Sequence, residues 1–142
     1  MPADDHAISQ ILGDRDKRIV GDLRWLPDDS GGHEFLAAVH CHNAELVVRG
    51  QRCPAANTLR FSLILRGVGR IAALDLGHAH THAPGEFHLH RWQPNLRDRT
   101  AEPPGEPLPA DLPAAWRLFC RLARIQHPGL LFDPPPAQEP LL

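Results

Sequence analysis

An alternating pattern of apolar and polar residues is the clearest structural signal in this chain. Within residues 58–66, Leu59, Phe61, Leu63 and Leu65 alternate with neighbours that are mostly polar or charged. Because successive side chains of a β-strand point to opposite faces, this period of two predicts a strand with one apolar face and one mostly wet face.

Shorter apolar patterns predict six further strands. They cover residues 18–26, 34–42, 45–49, 70–76, 78–82 and 87–92. The apolar run of 70–76 is nearly continuous, which is typical of a strand in the interior of a sheet. The Pro-Gly pair at residues 84–85 predicts a hairpin turn between the last two segments.

Two segments have the periodicity of amphipathic helices. Residues 4–12 place Ile8, Ile11 and Leu12 on one face, and residues 113–126 carry a wider apolar stripe. Both helices are expected to cover the same face of the sheet. The pattern therefore predicts an α+β fold with an antiparallel sheet of about five to seven strands, an N-terminal helix and a C-terminal helix.

The chain is expected to form one domain followed by a proline-rich tail. Residues 1–126 contain all the predicted helices and strands, whereas residues 127–142 contain five prolines. Within this tail, Leu130, Leu131 and Phe132 form an apolar triplet. Because large apolar side chains are unfavourable in water, the triplet is expected to dock on the sheet or on a protein partner.

Composition and termini indicate the cellular setting. No apolar run approaches the length of about 18 residues that a membrane-spanning helix requires. The first ten residues lack the basic and apolar regions of a secretory signal. The three cysteines form no CxxC motif, which is typical of reduced thiols. We therefore expect a cytoplasmic protein without a membrane partner.

Charge is distributed unevenly along the chain, although the formal net charge is only −2. Residues 46–99 carry eight arginines against three acidic residues. An excess of this size attracts phosphate but is smaller than that of a dedicated nucleic-acid surface. On the C-terminal helix, Arg117, Arg121 and Arg124 share one face, which we interpret as the solvated side of a core-packing helix.

Five of the ten histidines lie between residues 78 and 90. On an extended strand, His78, His80 and His82 share one face, and His88 and His90 share one face of the return strand. Such clustering indicates a site. Asp75 precedes the cluster by three residues.

The hairpin register decides whether the two histidine sets meet. An odd loop places His82 opposite His88, whereas a shift of one residue separates the two sets. Because Phe87 and Leu89 require burial, His88 and His90 are expected to face away from the core. A second histidine pair, at residues 40 and 42, joins the cluster only if its strand lies nearby.

Imidazole is the natural general acid and base near neutral pH. We predict His88 and His90 as the catalytic pair, with His80 as a third, orienting histidine. Arg70 or Arg91 is expected to hold the phosphate group of RNA or of another phosphate-bearing substrate.

Three alternatives use the same features differently. Imidazoles two residues apart on a strand can supply metal ligands, so His78, His80 and His82 are candidates for binding zinc or another divalent transition metal. A second alternative is a non-catalytic protein that binds a protein partner through its C-terminal tail. In the third, the histidines occupy a polar strand surface and have no further role.

Residues 72–92 resemble a family of small, uncharacterised prokaryotic domains. The matching positions are residues 74–77 (LDLG), a following histidine, residues 84–85 (PG) and residues 88–90 (HLH). This chain departs from the family pattern at the turn. Ala83 replaces an asparagine there, and the aspartate that the family places between proline and glycine is missing.

The resemblance extends over about residues 58–126, because the segment DLPAAWRLFCRLARI is similar to the closing helix of the family. The family has no established activity. Its HLH segment is similar to histidine-containing segments of some toxins of toxin–antitoxin systems. By analogy, this similarity favours a toxin-like protein, which agrees with the expected acid–base cleavage of RNA.

Overall fold

The computed structural model describes residues 4–42, 44–77, 87–93 and 101–134. In these residues the chain forms two helices and ten strands. In chain order they are α1 (Asp5–Gly13), β1 (Lys17–Arg18), β2 (Leu23–Arg24), β3 (Leu26–Pro27), β4 (His33–Val39), β5 (Leu46–Cys53), β6 (Thr58–Leu65), β7 (Gly69–Leu76), β8 (Phe87–Arg91), α2 (Leu112–Ala123), β9 (Ile125–Gln126) and β10 (Leu131–Phe132).

The main sheet has six antiparallel strands in the order β3-β4-β5-β6-β7-β8. Strands that follow one another in the chain are neighbours, so the sheet is a meander. Two small parallel sheets pair β1 with β9 and β2 with β10. These features confirm the predicted α+β fold with its two terminal helices and its antiparallel sheet, and β7 lies inside the sheet as expected.

Both helices pack on one face of the sheet, around a cluster of aromatic rings. Phe61 on β6 is fully buried, and its ring centroid lies 5.2 Å from that of Trp116 and 5.6 Å from that of Phe119 on α2. Phe35 on β4 meets the same tryptophan edge-on at 5.5 Å. Gly50, opposite Phe35 on β5, leaves room for that ring, because a Cβ atom there would lie 2.2 Å from a ring carbon.

The prediction of one continuous strand over residues 18–26 is wrong. The structure has three short strands there, β1, β2 and β3. The break falls at Gly21, whose φ of +85° is incompatible with an extended strand. The separated pieces pair with different partners, because β1 and β2 bond to strands from the C-terminal part of the chain.

Residues 127–132 of the predicted tail contact the domain. His127 accepts a hydrogen bond from the Trp116 indole at Nδ1 and donates one from Nε2 to the carbonyl of Gly21, at 2.9 and 2.8 Å. Leu131 packs against the core. The guanidinium of Arg24 lies over the ring of Phe132, with 4.2 Å between Cζ of Arg24 and the ring centroid. Two members of the apolar triplet are therefore docked on the chain itself.

A β-bulge interrupts the pairing of β6 with β7. Leu63 pairs with Ala72, whereas the next residue, Ile64, pairs with Arg70, so Ile71 is an extra residue on β7. Ile71 is fully buried. The bulge shifts the register of the rest of β7 by one residue relative to β6, and this shift determines which side chains meet on each face.

A search of the described ranges for a helix long and apolar enough to cross a membrane finds none.

Candidate functional site

The face of the sheet opposite the helices, here called the outer face, carries two rows of side chains. Residues that pair directly across the strands share a face, so the register defines both rows. From β4 to β8, the first row is Glu34, Gln51, Arg60, Asp75 and His88, and the second is Leu36, Arg49, Ser62, Ala73 and His90. Arg60, Asp75 and His88 of the first row and His90 of the second therefore lie on one side of the sheet, away from the aromatic core.

His88 and His90 occupy this outer face because Leu89 between them is buried. Leu89 retains only 3% of its accessible surface, and it pairs with Leu74, whose surface is fully buried. Side chains alternate along a strand, so the histidines on either side point away from the core. The prediction of their orientation is confirmed.

The partner of β8 differs from the predicted one. Phe87–Arg91 pairs with residues 72–76 of β7, so that Asp75 lies opposite His88 and Ala73 lies opposite His90. The predicted partner, residues 78–82, lies outside the described residues. A return strand next to β7 gains a buried neighbour at Leu74, which a pairing with the histidine-rich segment does not offer.

Asp75 connects two cationic or protonatable partners. One carboxylate oxygen, Oδ2, lies 2.9 Å from Nε2 of His90 and accepts a hydrogen bond from Nη2 of Arg60 at 3.0 Å. The other oxygen accepts a second bond from Nε of Arg60. An ionised carboxylate can only accept hydrogen bonds. In the contact between Asp75 and His90, we therefore assign the proton to Nε2 of His90.

The pKa of Asp75 is lowered from its ordinary value. Partial burial of the carboxyl raises the pKa, but the hydrogen bonds and charge of Arg60, with the contribution of His90, outweigh burial. The carboxyl side chain keeps 20% of its accessible surface and that of His90 keeps 15%. Asp75 is therefore a carboxylate at neutral pH and holds the His90 imidazole in a fixed orientation.

An open groove of about 350 Å³ runs along the end of the sheet at this site. Its lining includes Asp75, His88 and Arg60 from the first row, together with Arg52 from the end of β5. On the far wall, Asp28 closes a turn by accepting hydrogen bonds from Ser30 and Gly32. A substrate group entering the groove would meet His88 and the edge of the Asp75 carboxylate, whereas His90 contacts that carboxylate without lining the groove.

Of the two predicted phosphate-binding arginines, Arg91 does not join these histidines. Arg91 faces the helix side of the sheet, where its guanidinium bonds to Glu102 at 2.6 and 2.9 Å. Arg70, the second residue of β7, lies three residues before Ala73, the strand partner of His90, which corresponds to about 10 Å along a strand. Arg60 donates two hydrogen bonds to the Asp75 carboxylate that also bonds His90.

His40 and His42 also lie away from the cluster. β4 ends at Val39, and three strands separate it from β8 in the sheet. His40 forms an isolated bridge with Arg18, and Nε2 of His42 lies 3.3 Å from a carboxylate oxygen of Asp16. The condition for their joining the site, a neighbouring strand, is not met.

The predicted metal ligands His78, His80 and His82 lie outside the described residues, as does the orienting His80 of the catalytic prediction. In the ranges that are described, no group of three or more His, Cys, Asp or Glu side chains could hold a metal ion. In the described residues the candidate site therefore consists of His88, His90, Asp75 and Arg60.

Sequence reasoning placed Arg60 only among the polar positions of its strand. Asp75 stood out as a neighbour of the histidines, but no role followed from its position. The sequence does contain a signal for pairing Arg60 with Asp75, because the two residues carry opposite charges at outward positions of consecutive strands. A regular hairpin continued from the pair Leu65–Gly69, however, aligns Arg60 with Leu74, and only the bulge at Ile71 places it opposite Asp75.

Comparisons of the chain with protein-family models, with curated proteins and with solved structures find no significant match.

Proposed function

We propose that the outer-face site cleaves RNA by general acid–base catalysis, with His88 as the base and His90 as the acid. The observation that carries the proposal is the 2.9 Å hydrogen bond between His90 and Asp75, with His88 directly opposite Asp75 on the neighbouring strand. A carboxylate bonded to an imidazole orients the ring and stabilises its protonated form, which is the form that an acid catalyst requires.

The spacing of the two histidines suits a single phosphate between them. They are two residues apart on one face of β8, a separation of about 7 Å along the strand. His88 removes the proton of a ribose 2′-hydroxyl, and the 2′-oxygen attacks the adjacent phosphorus. As the P–O2′ bond forms, the P–O5′ bond breaks, and His90 gives its proton to the departing 5′-oxygen. The products are a 2′,3′-cyclic phosphate and a free 5′-hydroxyl.

Arg60 acts in this proposal as a positioning residue. Its two hydrogen bonds hold the Asp75 carboxylate in place and keep it ionised. The resemblance of residues 88–90 to segments of toxin–antitoxin toxins is a further reason to test RNA first.

The test is cleavage of a fluorescently labelled RNA oligonucleotide of mixed sequence, in the presence of a chelator, with products separated on a denaturing gel. Cleavage is expected to leave 2′,3′-cyclic phosphate ends. The DNA oligonucleotide of the same sequence should stay intact, because it lacks the attacking 2′-hydroxyl. His88→Ala and His90→Ala should each reduce the rate on the order of 100-fold or more.

His42→Ala is the matched control, because it removes an exposed imidazole that also pairs with an aspartate. It should cleave at the wild-type rate. Failure of the wild-type protein to cleave any RNA, or equal rates for His88→Ala and His42→Ala, would contradict the proposal. Activity that disappears in chelator and returns with zinc would favour the metal-binding alternative instead.

A further inference from the structure

A second candidate site lies at the opposite end of the fold, where α2 ends. An open hollow of about 350 Å³, here called the arginine hollow, is lined by Arg15, Arg121, Arg124, Ile125 and Gln126. Three of these five side chains are guanidinium groups. They come from two parts of the chain that are more than a hundred residues apart, so no local sequence pattern brings them together.

Strand pairing and backbone hydrogen bonds build this hollow. β1 pairs with β9, which brings the loop that contains Arg15 beside the end of α2. The side-chain amide of Gln126 donates a hydrogen bond to the carbonyl of Arg15 at 3.1 Å, and Arg124 donates one to the carbonyl of Gly13 at 3.2 Å. Arg124 has the left-handed conformation that ends α2, with a φ of +58°. The positions of the three arginines are therefore set by the fold.

The positive charge of the hollow is only partly neutralised. Arg121 has an ion pair with Glu106 at 3.2 Å, but the side chain of Arg121 remains 61% exposed. In the described part of the chain, Arg15 forms no ion pair, and Arg124 donates its side-chain hydrogen bond to the backbone carbonyl of Gly13. Two carboxylates flank Arg15 in the chain: Asp16 is paired with His42, and Asp14 accepts a hydrogen bond from the backbone amide of Asp16. Three cations thus line one small space, and among the described residues Glu106 is the carboxylate that is ion-paired with them.

We propose that the arginine hollow binds a compact oligophosphate, such as pyrophosphate or the 5′-terminal phosphates of an RNA. Guanidinium groups form paired hydrogen bonds with phosphate oxygens, and three of them around one point match a single group with several negative charges. An extended acidic peptide or a nucleic-acid backbone would instead need charges spread along a surface. This site is separate from His88 and His90, so the proposal does not depend on the proposed cleavage reaction.

The test measures binding of sodium pyrophosphate by isothermal titration calorimetry at low ionic strength, where exposed charges are least screened. Arg15→Gln and Arg121→Gln should each raise the dissociation constant for pyrophosphate about tenfold, as expected for loss of a charge-assisted contact. Arg117→Gln is the matched control. It removes the same charge from an exposed position of α2 that does not line the hollow, and should change the constant less than about twofold.

To distinguish RNA ends from free oligophosphate as the ligand, binding is compared for RNA that carries a 5′-triphosphate and for the same RNA with a 5′-hydroxyl. The His88→Ala and His90→Ala variants are used here, so that cleavage cannot interfere. Tighter binding of the triphosphate form, in competition with pyrophosphate, would assign the hollow to RNA ends, whereas equal binding of both forms would assign it to free oligophosphate. No binding of pyrophosphate to wild-type protein, or equal losses in Arg117→Gln and Arg15→Gln, would overturn the proposal. Circular dichroism confirms that each variant is folded.

Discussion

Replacing the buried lysine of this fold, Lys17→Met, should destabilise the protein strongly. The Lys17 side chain is fully buried, and its ammonium donates to the carbonyls of Ile11, Leu12 and Asp14 at 2.6, 3.1 and 2.7 Å. It thereby satisfies backbone acceptors that the end of α1 leaves without helical partners. Methionine fills a similar volume but cannot donate.

The structure gives the size of the effect. The carbonyl of Ile11 keeps a hydrogen bond from the backbone amide of Asp14 at 3.3 Å, so it stays satisfied in the variant. The other two carbonyls lose the ammonium. An unsatisfied buried acceptor costs about 1–3 kcal/mol, which for two groups predicts a loss of about 2–6 kcal/mol in the free energy of unfolding.

Urea-induced unfolding at neutral pH, followed by tryptophan fluorescence, measures this loss. Arg18→Met is the matched control, because it removes the neighbouring exposed cation and should change the free energy of unfolding by less than about 0.5 kcal/mol. A loss below 1 kcal/mol for Lys17→Met would refute the capping argument.

The same variant reports on ionisation of Lys17. Burial lowers the pKa of this ammonium from 10.5 to about 8, with Arg124 acting in the same direction and Asp14 against it. Between these two values the unfolded chain binds a proton that the folded chain does not, so the contribution of Lys17 to stability rises with pH. The stability difference between wild type and Lys17→Met should therefore widen from pH 8 to 10. A narrowing difference would show that the carbonyl contacts outweigh burial.

Two further predictions concern the site and the C-terminal segment. Asp75→Asn should remove an acid-sensitive part of the stability: because the folded-state pKa of Asp75 is lowered, its contribution is present above the unfolded value of about 4 and is lost as pH falls through the folded value. Urea unfolding between pH 3 and 6 should show a smaller pH dependence in the variant, and an unchanged dependence would contradict the assignment. Truncation after Pro128 removes β10 with the core contact of Leu131, and should lower the thermal unfolding temperature in proportion to a loss of about 1–3 kcal/mol. An unchanged melting temperature would show that the docking of this segment contributes nothing.

The sequence by itself determined the fold class and most of the elements, because these depend on local periodicity. The alternation around Phe61 predicted a strand with one buried face, and β6 covers Thr58–Leu65 with Phe61 and Leu63 fully buried. The apolar stripe of the C-terminal helix predicted its packing side in the same way. The outward orientation of His88 and His90 followed from a single requirement, the burial of Leu89 between them.

The composition of the candidate site was decided only by the tertiary structure. Its members lie on three strands, and the pairing of strands depends on register, which a single inserted residue changes. The bulge at Ile71 brings Asp75 opposite Arg60, and the pairing of β8 with β7 brings His90 to the same carboxylate. Neither step leaves a local signature, because the gain comes from burying Ile71 and Leu89 in a core formed by distant parts of the chain. The arginine hollow has the same origin, since the pairing of β1 with β9 joins residues that the sequence separates by more than a hundred positions.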